Sequence, residues 1–290
     1  MPVRRIESGL TSTTTRTGNK TIDWPRVLLY GDLFRYSDLF LNLFRRELRV
    51  KYRGSLLGLA WTLINPVVLM FGYWLLFSIL LRAVSIEHYP LFVMSGIVPW
   101  IFFQSALQMS ASSLLGQSNL VKQVRFPRQL LPLSVVATNL VTVGVMLAVV
   151  MPVNLIIAPE TRSTFLLTFP MLVPLIALTC GLAIVVAAAT VIFRDVEHLL
   201  TAIFLPWFVL TPIFYTFDQL PGIDDHPRVA DGLYYGNPVA PFVEAIRDPL
   251  FWGKLPALSD VVYAVGVAGA ALVIASVVFR RVDDQLAAQL

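Results

Sequence analysis

The sequence predicts an all-α integral membrane protein of six transmembrane helices, with both termini on the inner side and an amphipathic interfacial helix ahead of the first span. Three observations carry this. The 290 residues are 57% hydrophobic and only 14% charged, against about 25% charged in a soluble domain. Six stretches lack Asp, Glu, Lys and Arg altogether: 54–81, 89–121, 129–159, 163–193, 199–217 and 261–279. The shortest of them has 19 residues, close to the roughly 20 that a helix needs to cross a ~30 Å hydrocarbon core. The Lys and Arg residues are also unevenly shared. With both termini inside, 17 fall on the inner side and five (Arg82, Arg162, Arg228, Arg247, Lys254) outside, as the positive-inside rule requires.

Residues 1–29 read as a flexible cytoplasmic N-terminus; 8–21 are small and polar, too poor in apolar groups to order themselves. No apolar signal-peptide core occurs in 1–53. Residues 30–53 form the interfacial helix. In LFRYSDLFLNLFRRELRVKYR (33–53), Arg35, Asp38, Asn42, Arg45, Arg46, Arg49 and Arg53 share one arc, and aromatic and aliphatic side chains fill the other. Glu47 and Lys51 project into the apolar arc, one turn apart. They pair with each other, snorkel to headgroups, or face a protein groove.

The six-helix domain covers 54–280, with spans near 56–81, 91–116, 132–157, 168–193, 198–217 and 260–279. Prolines inside them are tolerable where neighbours satisfy the freed carbonyls. A basic segment, 118–131, separates spans two and three. It contains Asn119, Lys122, Gln123, Arg125, Phe126, Pro127 and Arg128, and reads as a charged loop or a docking surface. Residues 218–259 form a long outer region that is too apolar for a solvated loop, with Phe242, Val243, Ile246 and Trp252 among its prolines. Half-inserted helices answer that composition. Residues 281–290 are a cytoplasmic tail.

The chemistry the chain lacks narrows its function. No G-x-x-x-x-G-K-[ST] loop, G-x-S-x-G elbow, H-E-x-x-H helix or G-x-G-x-x-G turn occurs. The three histidines are scattered and Cys180 is the single cysteine, so neither a metal pattern nor an internal disulfide arises. The spans hold almost no ionisable residue, which argues against ion-coupled transport. The acid pair Asp224-Asp225 is all that a membrane enzyme acting on polyprenyl lipids would have to work with at the surface. Aromatic residues are plentiful. Trp61, Tyr73, Trp74, Trp207, Phe208, Phe214 and Tyr215 are candidates for stacking on sugar rings in a glycan channel, beside the plainer reading as interfacial belts.

Four strings in order then carry a resemblance: ELRVKYRGSLLGLAWTLINP (47–66), NLVKQVRFPRQLLP (119–132), FRDV (193–196) and NPVAPFVEAIR (237–247). Over roughly residues 30–280 the chain resembles the membrane subunit of ABC-type polysaccharide exporters, which move lipid-linked O-antigens, teichoic acids and galactan. The resemblance implies a homodimer in the bacterial cytoplasmic membrane, joined by two copies of a separate ATPase that binds the ATP and Mg; this chain would hold no cofactor and catalyse nothing, and no nucleic acid is involved. It implies that Asn119, Lys122, Gln123, Arg125, Phe126, Pro127 and Arg128 couple to the ATPase, flanked by Arg45, Arg46, Glu47, Arg49 and Lys51. It implies that Asn237, Pro238, Pro241, Glu244 and Arg247 lie in short re-entrant helices gating the outer mouth. The cargo would be a polyprenyl-diphosphate-linked glycan; the Arg-, Ala- and Val-rich composition suits an actinobacterium, which within the resembled family would point toward galactan. An exporter of the same family carrying a lipid or a drug is the alternative.

Overall fold

The computed structural model describes residues 36–54, 58–80, 86–123, 126–216 and 227–289. Among them the regular structure is all helix, with no strand. In order, α1 is Ser37–Tyr52, α2 Trp61–Trp74, α3 Tyr89–Ala111, α4 Ser118–Gln123, α5 Leu130–Ile157, α6 Thr168–Ile192, α7 Val196–Leu210, α8 Pro227–Gly236, α9 Ala240–Arg247 and α10 Leu258–Gln289. Five segments are long and apolar enough to cross a membrane: Trp61–Ile79, Tyr89–Ala111, Leu130–Ile157, Phe165–Ile192 and Leu258–Val282. They correspond to expected spans one, two, three, four and six.

The fifth expected span, 198–217, is corrected. Its helix stops at Leu210 after 15 residues, about 22 Å at 1.5 Å per residue. Pro212 is the cause. A proline disfavours helical backbone in the residue before it, and Thr211 is extended, at φ −83°, ψ 133°. The chain then runs as a buried non-helical strap through Phe214. At the other extreme, α10 has 32 residues, about 48 Å, and carries on through the expected tail to Gln289. The interfacial helix begins at Ser37. Residues 30–35, with the N-terminus 1–29, Arg125 and Asp224-Asp225, lie outside the described residues.

The bundle is built around α3, which is buried along most of its length and touches α2, α5, α6, α7 and α9. The broadest helix pair is α6 with α10. Small residues let the two backbones approach, as in membrane helices generally. Ala264, Ala268, Ala271 and Ala275 of α10 are buried, and a Cβ on Gly181 of α6 would lie 2.8 Å from the Ala271 carbonyl carbon. By contrast α2 leans on α3, and it and its continuation Leu75–Leu80 present Val67, Val68, Phe71, Leu75, Leu76 and Ile79 outward.

Two apolar clusters divide the molecule along its axis. The larger joins α3, α5, α6, the strap and α9. The smaller gathers Leu43 of α1, Leu114, Phe126, Leu130 and Leu131, Ile184 to Val191 at the end of α6, and Ala275 and Phe279 of α10. Leu120 and Val121 of α4 pack on its edge. The basic segment 37–53, Lys122, Arg128, Arg194 and Arg280-Arg281 therefore all sit at this end of the bundle.

Candidate functional site

At the basic end, α4 is a single exposed turn set on an apolar base. Its Leu120 and Val121 face the smaller cluster, while Asn119, Lys122 and Gln123 are exposed. Phe126 is buried in that cluster and Pro127 and Arg128 are half-buried, turning the chain into α5. A tip of this build presents polar groups outward and is stiffened from behind.

Gln117, just ahead of α4, ties the tip to α1. Its Oε1 accepts from Arg46 Nη1 at 3.1 Å, and its Nε2 donates to Glu47 Oε1. One buried amide thus reads two adjacent α1 residues of opposite charge. Lys51, one turn on, does not pair with Glu47. Its Nζ donates to Asn139 Oδ1 and Thr142 Oγ1 of α5, both at 2.9 Å. Asn139 is itself oriented by donating from Nδ2 to the Val135 carbonyl at 2.9 Å. Burial holds the Lys51 ammonium down, to about 8 from its ordinary 10.5. So of the open choices for Glu47 and Lys51, both residues meet protein. Arg45 and Arg49 remain on the exposed side of α1.

The aromatic residues divide into packed and accessible. Phe208 and Phe214 are only 8% and 3% exposed. Phe208 lies 5.0 Å edge-on from Phe214 and 5.4 Å from Trp100, and Phe214 stacks on Tyr73 at 4.3 Å. These rings are engaged with one another inside the subunit. Trp61 is 54% exposed, and Tyr73, Trp74, Trp207 and Tyr215 are half-buried.

At the far end, α9 is buried and its residues close over the broken end of α7. Pro241 near the start of α9 suits a helix start, where its missing N–H is not needed. Arg247, at 0% exposure, is the hub. Its Nη1 donates to Glu244, its Nη2 donates to the Ile213 carbonyl at 3.0 Å, and its Nε donates to Ser95 Oγ at 3.3 Å. The guanidinium also lies 4.1 Å from the Phe92 ring centroid. Asn237 does similar work. Its Oδ1 accepts from Trp207 Nε1 at 2.8 Å and from the Val239 N–H at 3.1 Å, and its Nδ2 donates to Thr211 Oγ1 at 2.9 Å. Tyr89 adds a bond to the Phe214 carbonyl at 2.7 Å. Non-helical backbone at membrane depth needs protein partners; the strap carbonyls of Ile213 and Phe214 receive them from Arg247 and Tyr89, and Asn237 holds the Thr211 hydroxyl at the strap's start. Pro238 is half-buried in the turn before α9.

Further along, Asn154 of α5 donates to the Leu250 carbonyl at 2.8 Å and Thr164 to the Pro249 carbonyl at 3.0 Å. Gly253 ends this turn in the left-handed region, at φ 62°, and a Cβ there would meet the Glu160 carbonyl oxygen at 2.7 Å. On α8, Tyr234 and Tyr235 donate to the two carboxylate oxygens of Asp260, at 2.9 and 3.4 Å. Asn237, Glu244 and Arg247 are marked by the resemblance; their partners Ser95 and Thr211, the strap partner Tyr89, and Gln117, Asn139 and Thr142 are not. Uncharged polar residues within apolar runs were the available signal.

Comparison with known proteins adds a family. The sequence model of a family described as ABC-2 type transporter matches residues 38–251. An O-antigen export system permease protein from Myxococcus xanthus is 31% identical over 263 residues, covering 90% of this chain and 98% of its own length. One from Klebsiella pneumoniae is 28% identical over 223 residues, 75% of this chain and 82% of its own. A polysialic acid transport protein from Escherichia coli is 22% identical over 224 residues, 73% and 81% of the two chains.

Proposed function

We propose that this chain, which belongs to the ABC-2 type transporter family, is the membrane subunit of an exporter that carries a polyprenyl-diphosphate-linked polysaccharide across the bacterial cytoplasmic membrane. It works as a homodimer with two copies of a separate ATPase. Its membrane location follows from the family and from the five long apolar helices. The likeness to O-antigen export permeases over nearly the whole chain supports the cargo class, and galactan is one polymer of that class. The same likeness favours a glycan over a lipid or drug. ATP acts in trans, because the chain has no phosphate loop.

The observation that carries the mechanism is the Gln117 bridge. Asn119, Lys122, Gln123, Arg125, Phe126, Pro127 and Arg128 form the contact with the ATPase, in the cytoplasm with both termini. A push on α4 reaches α1 through Gln117, and reaches α3 and α5 through the chain on either side. At the other end, Asn237 and Arg247 hold α9 and the strap together as the closed outer gate, and motion of α3 or α7 would pull at this joint. The accessible aromatics, Trp61, Tyr73, Trp74, Trp207 and Tyr215, serve the glycan path. Phe208 and Phe214 back that wall.

The test is charge reversal at the tip. Lys122→Glu with Arg128→Glu, reconstituted with the cognate ATPase, is expected to lose most transport-coupled ATP turnover while inserting normally. Unchanged coupled turnover sinks the docking assignment.

A further inference from the structure

Beside Trp100 and the packed rings, α3 and α7 border an open cavity of about 390 Å³ lined by Gln104, Gln108, Thr201, Phe204, Leu205 and Phe208. Its polar groups form a ladder. Trp100 Nε1 donates to Gln104 Oε1 at 2.8 Å, and Gln108 Nε2 donates to Thr201 Oγ1 at 2.9 Å. Trp100, Gln104 and Gln108 are spaced by four residues and so share one face of α3. That leaves the Gln104 Nε2 donor and the Gln108 Oε1 acceptor without a partner among the described residues.

The depth of these groups makes them informative. Gln104 stands seven residues from the end of α3 at Ala111, about 10 Å into the span, and Trp100 lies deeper still. A carboxamide with an unused donor is costly to leave against hydrocarbon. Thr201 and Leu205 are nevertheless exposed and both glutamines are only half-buried. The face therefore meets water or a polar cargo rather than acyl chains.

We infer that Gln104, Gln108 and Thr201 form a hydrogen-bonding wall of the export path that takes up the hydroxyls of an uncharged stretch of sugar chain. This rests on the export reading and deepens it. The lining is amide, hydroxyl and aromatic with one leucine, Leu205, and without a charged side chain. Planar amides trade one hydroxyl for the next with little change in geometry, and the apolar ring edges tolerate sugar C–H surfaces. Both properties suit a polymer that must slide. The residues that contact the cargo are then these amides more than the buried rings beneath them.

The single cysteine gives a clean test. In a Cys180→Ala background, Gln104→Cys, Gln108→Cys and Thr201→Cys are made in the full complex with its ATPase, in inside-out membrane vesicles. A small cationic methanethiosulfonate is expected to label them at least tenfold faster than Val173→Cys or Val273→Cys, which lie on outward apolar faces. Equal rates overturn the inference, since the face would then be sealed. In cells, Gln104→Leu/Gln108→Leu is expected to cut surface glycan at least tenfold with the complex still assembled. Gln104→Ser/Gln108→Ser, which keeps hydrogen-bonding groups on the wall, is expected to retain at least half. Wild-type export in the leucine variant, or equal loss in both, overturns the hydroxyl-binding role. Absence of ATP-driven glycan export in the wild type would instead defeat the export reading, and the labelling result would stand apart from it.

Discussion

Replacing Arg247 with Met should be among the most damaging single changes outside the apolar core. The side chain is fully buried and donates to Glu244, the Ile213 carbonyl and Ser95, with Phe92 beneath it. Methionine fills much of the volume, so the main cost is a stranded carboxylate and an orphaned carbonyl. Breaking a buried ion pair from one side costs about 3–5 kcal/mol. A desolvated cation–π contact adds up to about 2 kcal/mol, though these terms overlap. A net loss of about 4 kcal/mol follows. Adding Glu244→Gln removes the unpaired acid, so the double variant should recover part of that loss, about 1–3 kcal/mol. Arg247→Lys should rescue poorly, because a single ammonium cannot reach three separated acceptors as a planar fork does. Thermal unfolding of the detergent-solubilised protein, followed by tryptophan fluorescence, measures all three. The reasoning fails if Arg247→Met lies within about 0.5 kcal/mol of wild type, or if the double variant is no better than the single.

Three further outcomes are expected. Asn237→Leu removes the acceptor of Trp207 Nε1 and the donor to Thr211, and should cost about 1–3 kcal/mol in the same melt. Gln117→Leu should leave insertion and ATPase association intact but lower coupled ATP turnover, as the α1–α4 bridge is lost; turnover matching wild type would refute that route. For Lys51 the sign runs with burial. Its folded value is lowered to about 8 against an ordinary 10.5, so the unfolded chain binds more protons between those limits. Stability should rise as pH climbs from about 8 to 10.5, and a pH series of melts should show Lys51→Met lacking that rise.

How far the sequence could be read depended on which force set each feature. Span positions were legible because hydropathy and length determine them, and observed helices begin within a few residues of the expected ends at Tyr89, Leu130, Thr168 and Leu258. The amphipathic helix was legible from its arc of arginines. Its two misfit residues stood out in the sequence, yet their partners did not, since Gln117, Asn139 and Thr142 are distant in sequence and uncharged. The early end of α7 was written in Pro212, but other internal prolines, such as Pro99 and Pro152, sit within continuous helices. The long-range partners supplied to the broken strap by Arg247, Asn237 and Tyr89 come from residues far along the chain, and pairing at that range is invisible in one sequence. The aromatic residues showed a related limit. Composition could not tell that Phe208 and Phe214 pack against Tyr73 and Trp100 while Phe208 also edges the cavity between α3 and α7.

The central claim is that another chain's ATP hydrolysis drives a glycan past this one. The most direct measurement is translocation of a lipid-linked glycan in proteoliposomes containing this chain with and without its ATPase, scored by access of a glycosidase to the polymer. The account predicts ATP-dependent translocation only when both chains are present, lost with Lys122→Glu/Arg128→Glu at the tip. Translocation by this chain alone, or none with the two together, would contradict it.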